Sequence, residues 1–173
     1  MMVIKDIKNE VIIHKYKSRD ILIALFWEDN GIRYYLKKNE VFYKKEELNN
    51  NIKIAKWFTD VTGLTIQIQP IVLNPPHIKT SDFIIVDTKT KLELKTITVK
   101  NKNYNPNKNY INKALGNGYG QANHFIIDIS NSALEINKAI NDLNLAMSYM
   151  NRRYVHRVYL KKDNTLIGVF ERK

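Results

Sequence analysis

The sequence contains no cysteine, so it can form neither a disulfide nor a Cys-ligated zinc or iron–sulfur site. It also lacks any stretch approaching about 18 uninterrupted apolar residues, the length a membrane-spanning helix needs. The first residues, Met1-Met2-Val3-Ile4-Lys5-Asp6-Ile7-Lys8, alternate apolar and charged side chains and have neither the apolar core nor the small-residue cleavage site of a signal peptide. The expectation is a soluble protein made in the cytoplasm, with no membrane partner. Acidic residues are scarce: 17 Asp and Glu stand against 28 Lys and Arg, a formal net charge of +11. Such an excess attracts polyanions over long range and favours binding by counterion release, so nucleic acid is the first partner class. The plainer alternative is a Lys- and Asn-rich composition of the kind an AT-rich genome encodes.

What is present suffices for a core. With 173 residues, 44% hydrophobic and 10% aromatic, the chain reads as one folded domain or a domain with a small appendage, and a wholly disordered chain is excluded. Residues 1–47 form a β-rich extension. Its apolar runs are Glu10–His14, Ile21–Trp27, Ile32–Leu36 and Val41–Tyr43, with Asn30-Gly31 placed for a tight hairpin. From residue 48 the pattern changes. Ile54, Trp57, Phe58 and Val61 recur at helical spacing before Gly63, predicting a helix over 48–62. Strands are expected at Leu64–Leu73, Phe83–Val86 and Leu92–Val99, followed by a polar, basic loop to Asn109. A short helix over 110–115, a strand at 124–129, a helix over 132–150 and a hairpin at 155–170 complete the chain. The order α-β-β-β-α-β-α-β-β predicts an α/β (α+β) domain over 48–173 with a mixed sheet flanked by helices.

The residues that can do chemistry lie around one turn. If Asp87-Thr88-Lys89-Thr90-Lys91 folds back as a hairpin, position 82 falls opposite about 95 and 84 opposite about 93, so Asp82, Glu93 and Lys95 converge. Strand alternation puts Glu93 and Lys95 on one face and Leu92, Leu94 and Thr96 on the other. Two carboxylates can hold Mg²⁺ or Mn²⁺ against a phosphodiester, and a nearby ammonium can orient water or stabilise charge developing on phosphorus. The blander alternative is a cross-strand salt bridge on a solvated sheet face.

Ser81-Asp82, ten intervening residues and Glu93-Leu94-Lys95 resemble the PD-(D/E)XK nuclease signature, and the α-β-β-β-α-β order over 48–129 is similar to that superfamily's restriction-endonuclease-like core. Lys79-Thr80-Ser81-Asp82-Phe83-Ile84-Ile85, Leu92-Glu93-Leu94-Lys95-Thr96-Ile97, Gln121–Ile129 and the hairpin at 155–170 further resemble the C-terminal tRNase toxin domains of contact-dependent growth inhibition (CdiA-type) proteins and related phage and mobile-element domains. That resemblance covers about residues 50–173. It implies Asp82 and Glu93 as metal-binding or catalytic carboxylates, Lys95 as the catalytic amine, and Gln121 as a helix-borne residue that positions phosphate or water. It implies an endoribonuclease toxin acting on tRNA, in the cytoplasm of the producing or a target bacterial cell. Ser81 stands where the signature has Pro, and Gly116, Gly118 and Gly120 precede Gln121 in a pattern that ordinarily caps a helix.

Other residues extend the candidate surface. Lys79, Thr80 and Thr96 flank the acids and can meet phosphate, although β-branched strand residues need no such explanation. In the loop, Lys100, Lys102 and Lys108 suit backbone phosphates and Tyr104 an unpaired base, unless the loop is merely solvated. His77 can serve as a general base or be an ordinary surface histidine. His124 and His156 have no i, i+4 acidic or histidine partner and are not metal-ligand candidates. Arg152, Arg153, Arg157, Lys161 and Lys162 form a second basic cluster that can widen the footprint. An acidic immunity or antitoxin protein fits the same charged surfaces. A DNA endonuclease using the same site, and an inactive nucleic-acid-binding module in which the acids and Lys95 merely pair, are the alternatives.

Overall fold

The computed structural model describes residues 10–16, 19–24, 26–29, 32–35, 45–69 and 79–172, with side chains from 46 onward apart from 48. His77, the expected strand at Val41–Tyr43 and residues 70–73 lie outside the described residues. The protein is α+β, and its chain divides into two compact units, Met1–Thr90 and Lys91–Lys173.

In the first unit, β1 (Glu10–Tyr16) pairs antiparallel with β2 (Arg19–Ala24), and β3 (Phe26–Asp29) pairs antiparallel with β4 (Ile32–Tyr35). Asp29 stands opposite Ile32, the register that an Asn-Gly connection sets. The apolar run expected as one strand over 21–27 therefore divides between two pairings. The helix α1 (Lys45–Thr62) begins three residues before the expected start, with Glu46 and Glu47 in its first turn, where the helix dipole favours acids. Ile54, Trp57 and Phe58 are buried as their spacing predicts, joined by Asn51, Ala55 and Thr59. Gly63 ends the helix at φ 73°, its N–H donating to Thr59 O at 3.0 Å. Beyond it, β5 (Ile66–Ile68) runs parallel to β2 and antiparallel to β6 (Phe83–Ile85), so this unit's sheet is mixed.

The second unit holds β7 (Thr90–Thr96) from Lys91 onward, α2 (Tyr110–Asn117), β8 (His124–Asp128), α3 (Ile136–Ser148), β9 (Arg157–Lys162) and β10 (Thr165–Glu171). β7, β8 and β9 are parallel neighbours, and β10 returns antiparallel to β9 through a turn with Asp163 at φ 51°. Parallel neighbours require crossover connections, and α2 and α3 occupy the two crossovers. β8 sits between β7 and β9, which explains why Phe125, Ile126 and Ile127 are apolar and all buried. Ile111, Leu115, Leu134, Leu143, Val158 and Leu160 close the core around Phe125 and Ile127.

Two sequence expectations are adjusted here. The helix expected over 132–150 starts at Ile136, because Ala133 N–H donates to Val99 O at 2.7 Å and Leu134 N–H to Ser132 Oγ at 3.2 Å, outside any helix. The loop over 100–109 is ordered by a 3-10 turn at Asn101–Asn103, and Asn109 caps α2 by accepting Asn112 N–H at 2.7 Å. Among the described residues no helix is long and apolar enough to cross a membrane.

The end of α2 approaches β8 closely because residue 118 has no side chain. A Cβ there would lie 2.4 Å from Phe125 Cε1. Gly118→Ala is therefore expected to destabilise the protein by about 1–3 kcal/mol through overpacking, read as a lower urea midpoint; an unchanged midpoint would contradict this packing.

At the start of β8, His124 stands in register with Arg157, and its Nδ1 is buried with no hydrogen-bond partner. Burial lowers its pKa below the usual 6.5, Arg157 and His156 lower it further, and Glu171 opposes them. In the fold His124 thus resists protonation more than in the unfolded chain. Its contribution to stability is complete above about 6.5 and is lost as pH falls through the folded pKa. The urea midpoint should decline on acidification below about pH 6.5, and His124→Gln should flatten that decline; an identical pH profile in the variant would show that His124 is not its source.

Candidate functional site

Glu93 and Lys95 are two apart on β7, in register with Phe125 and Ile127 of β8. They share a face, and that face carries the core side chains Phe125 and Ile127. Glu93 is consequently only 3% exposed. A buried carboxylate is costly unless paired and hydrogen-bonded. Lys95 supplies the pairing: its Nζ lies 2.7 Å from Glu93 Oε1 and also donates to Gln121 Oε1 at 3.0 Å.

Gln121 is not borne on a helix. α2 ends at Asn117, Gly118 caps it by donating its N–H to Leu115 O at 2.9 Å, and Gln121 lies in the following turn with its own N–H donating to Gly118 O at 3.0 Å. Gly120 sits at φ 81°, a backbone angle that glycine adopts without strain. The turn rather than the helix thus aims the amide at Lys95. Gly118 serves the site as well as the core, since a Cβ there would stand 3.2 Å from Lys95 Cε. Sequence reasoning read the alternating glycines as a helix end and missed this close approach.

Asp82 belongs to the first unit, where its backbone oxygen accepts Gln69 N–H at 2.8 Å. Beside it Ser81 is buried and its Oγ donates to Phe83 O at 2.9 Å, a local tie at the start of β6 in the position where the signature has Pro. Lys79 is exposed and Thr80 half-buried in that unit. In the second unit Thr96, Lys100, Lys102 and Lys108 are exposed. Tyr104 is half-buried against Tyr110, ring centroids 6.3 Å apart and nearly parallel at 21°.

Most of the second basic cluster also has partners within the protein. Lys161 is buried, its Nζ 2.7 Å from Asp128 Oδ2 and 3.0 Å from Ser130 Oγ. Arg157 pairs with Glu171 and donates to Tyr159 OH, which leads the influences raising its pKa. Arg152 donates to Asn112 O at 3.2 Å, and its guanidinium lies over Gly116, where a Cβ would meet Nη2 at 2.7 Å. Arg153 is exposed. Sequence spacing cannot reveal Asp128, Ser130 and Asn112 as partners, because they are supplied from 31 to 40 residues away in the chain.

Among the described residues no three His, Asp or Glu side chains gather as a metal cluster. The donor set beside Lys95 is the Glu93 carboxylate, which would offer an oxygen to a Mg²⁺ or Mn²⁺ otherwise held by water and phosphate. It does not suit an all-protein zinc or calcium cage.

No family model and no curated protein matches the chain. In fold it is similar to a chain of the CdiA-CT/CdiI toxin and immunity complex from Burkholderia pseudomallei, with a TM-score of 0.51 at 14% identity over 80% of this chain and 94% of that one. At that identity the likeness is one of fold.

Proposed function

We propose that the chain is a phosphodiester-cleaving nuclease of PD-(D/E)XK type, an endoribonuclease toxin domain acting on tRNA, with its catalytic region in 48–173. The observation that carries this reading is the Lys95 ammonium held between Glu93 Oε1 and Gln121 Oε1. The fold likeness to a chain of a toxin and immunity complex supports it, as does the net charge of +11.

A lysine ammonium has three N–H donors. Glu93 and Gln121 each accept one and fix its direction, which leaves a donor for a non-bridging phosphate oxygen. With its side chain only 19% exposed, Lys95 can stabilise charge on phosphorus more effectively than a fully hydrated lysine. In the hydrolysis a water oxygen bonds to phosphorus and the bond to one ribose oxygen breaks, giving a phosphomonoester and a hydroxyl end. Glu93, with Asp82 from the sequence signature, would hold the divalent ion, which when bound polarises the phosphate and lowers the pKa of a coordinated water. Lys79, Thr80, Thr96, Lys100, Lys102, Tyr104 and Lys108 are assigned to substrate binding, and an acidic immunity protein to the same basic surface.

Incubation with total tRNA or plasmid DNA, in Mg²⁺, Mn²⁺ or EDTA, tests the reading. Discrete tRNA fragments are expected from the wild type, with Lys95→Ala and Glu93→Gln at least about 100-fold slower. DNA cleavage by the same residues would replace the RNase with a DNase. Binding without cleavage under every condition would leave an inactive module whose Glu93–Lys95 pair is a static ion pair.

A further inference from the structure

One exposed aromatic side chain lies in the turn between Gly118, where an added Cβ would crowd the Lys95 stem, and Gln121, which accepts a hydrogen bond from Lys95. Tyr119 follows Gly118, whose missing Cβ clears the lysine stem, and precedes by two residues Gln121, which accepts from Lys95 Nζ. It is 62% exposed, although it is a large ring. It is nevertheless held in place. Its N–H donates to Gly116 O at 3.2 Å, and its ring meets that of Tyr154 edge-on, centroids 5.0 Å apart at 73°. Tyr154 is fixed in turn, donating its OH to Leu115 O at 2.7 Å and packing edge-on against the buried Phe125 at 6.3 Å. The three rings run from the buried Phe125 to the exposed Tyr119, two residues before Gln121, and Arg153, adjacent to Tyr154 in the chain, is exposed.

We propose that Tyr119 is a stacking platform for an unpaired base of the substrate strand, next to the phosphate engaged by Lys95. The inference rests on the nuclease reading and narrows its substrate to nucleic acid with an unpaired nucleotide at the cleavage point. A pre-oriented aromatic ring in water loses little conformational freedom on binding, and any base has a face to offer it. A base inside a duplex is already stacked on both sides and cannot occupy such a platform without being extruded. The exposed Arg153 suits an adjoining phosphate of the same strand.

The test uses the full chain and a labelled RNA of about 12 nucleotides, either unpaired or annealed to its complement, with binding read by anisotropy in EDTA and cleavage read in Mg²⁺. Tyr119→Ala is expected to weaken binding of the unpaired strand by about 5- to 100-fold, while Tyr119→Phe and Tyr119→Trp keep it within about 2-fold. Tryptophan emission in Tyr119→Trp should be quenched by the unpaired strand and not by the duplex. If Tyr119→Ala binds and cleaves the unpaired strand as the wild type does, while Lys95→Ala abolishes cleavage, the stacking proposal is overturned and the nuclease stands. A wild type that neither binds nor cleaves either RNA, and that leaves total tRNA intact as well, overturns both.

Discussion

Glu93 is a carboxylate buried beside an apolar core, and its neutralisation is the constraint on which the arrangement of Lys95 and Gln121 depends. Its face of β7 is set by strand alternation and carries the apolar side chains that α2 and α3 cover, so the acid is removed from water. An unpaired charge there would be strongly destabilising, and breaking such a pair typically costs about 3–5 kcal/mol. Lys95, the next residue on that face, supplies the partner, and Gln121 Oε1 accepts a hydrogen bond from its ammonium. A simple ion pair needs only the first of these bonds. The second is a direction-setting contact made across the chain from a glycine-shaped turn, and it ties the orientation of the ammonium to the packing of α2 on Phe125.

That coupling gives Gly118 a double role. The same missing Cβ lets the helix end rest on the Phe125 ring and lets the lysine stem pass. Gln121 reaches Lys95 only because the chain leaves α2 at this point and turns back through Gly120 at a positive φ. The aromatic series Phe125, Tyr154 and Tyr119 grows from the same junction, with burial raising the pKa of the Tyr154 phenol and keeping it a donor to Leu115 O. Core packing, lysine orientation and a surface aromatic are thus determined within a few residues of one turn.

Much of the fold was legible because hydrophobic periodicity is local. The α-β-β-β-α-β-α-β-β order from α1 onward follows from spacing and turn residues alone, as does the shared face of Glu93 and Lys95. Helix ends were less legible. Capping by Asn109 and the capture of Ala133 N–H by Val99 O depend on tertiary placement that no window of sequence contains. The division of the run over 21–27 between β2 and β3 was hidden for a related reason, since β2 takes β5 as a partner some forty residues away. For the site, Gln121 was suggested by a motif likeness, while the turn that presents it was not. The basic cluster at 152–162 illustrates the converse. Charge density along the chain says nothing of the Asp128, Glu171 and backbone oxygens that engage most of it.

In the proposed nuclease, Lys95 and Gln121 act as one unit on a phosphodiester. A double-mutant cycle on single-turnover tRNA cleavage, using Lys95→Ala, Gln121→Ala and both together, tests it most directly. Gln121→Ala is expected to lose less than Lys95→Ala, and the double variant to be no slower than Lys95→Ala alone, because Gln121 works only through the lysine. Losses that multiply, or a Lys95→Ala protein that cleaves at the wild-type rate, would contradict it.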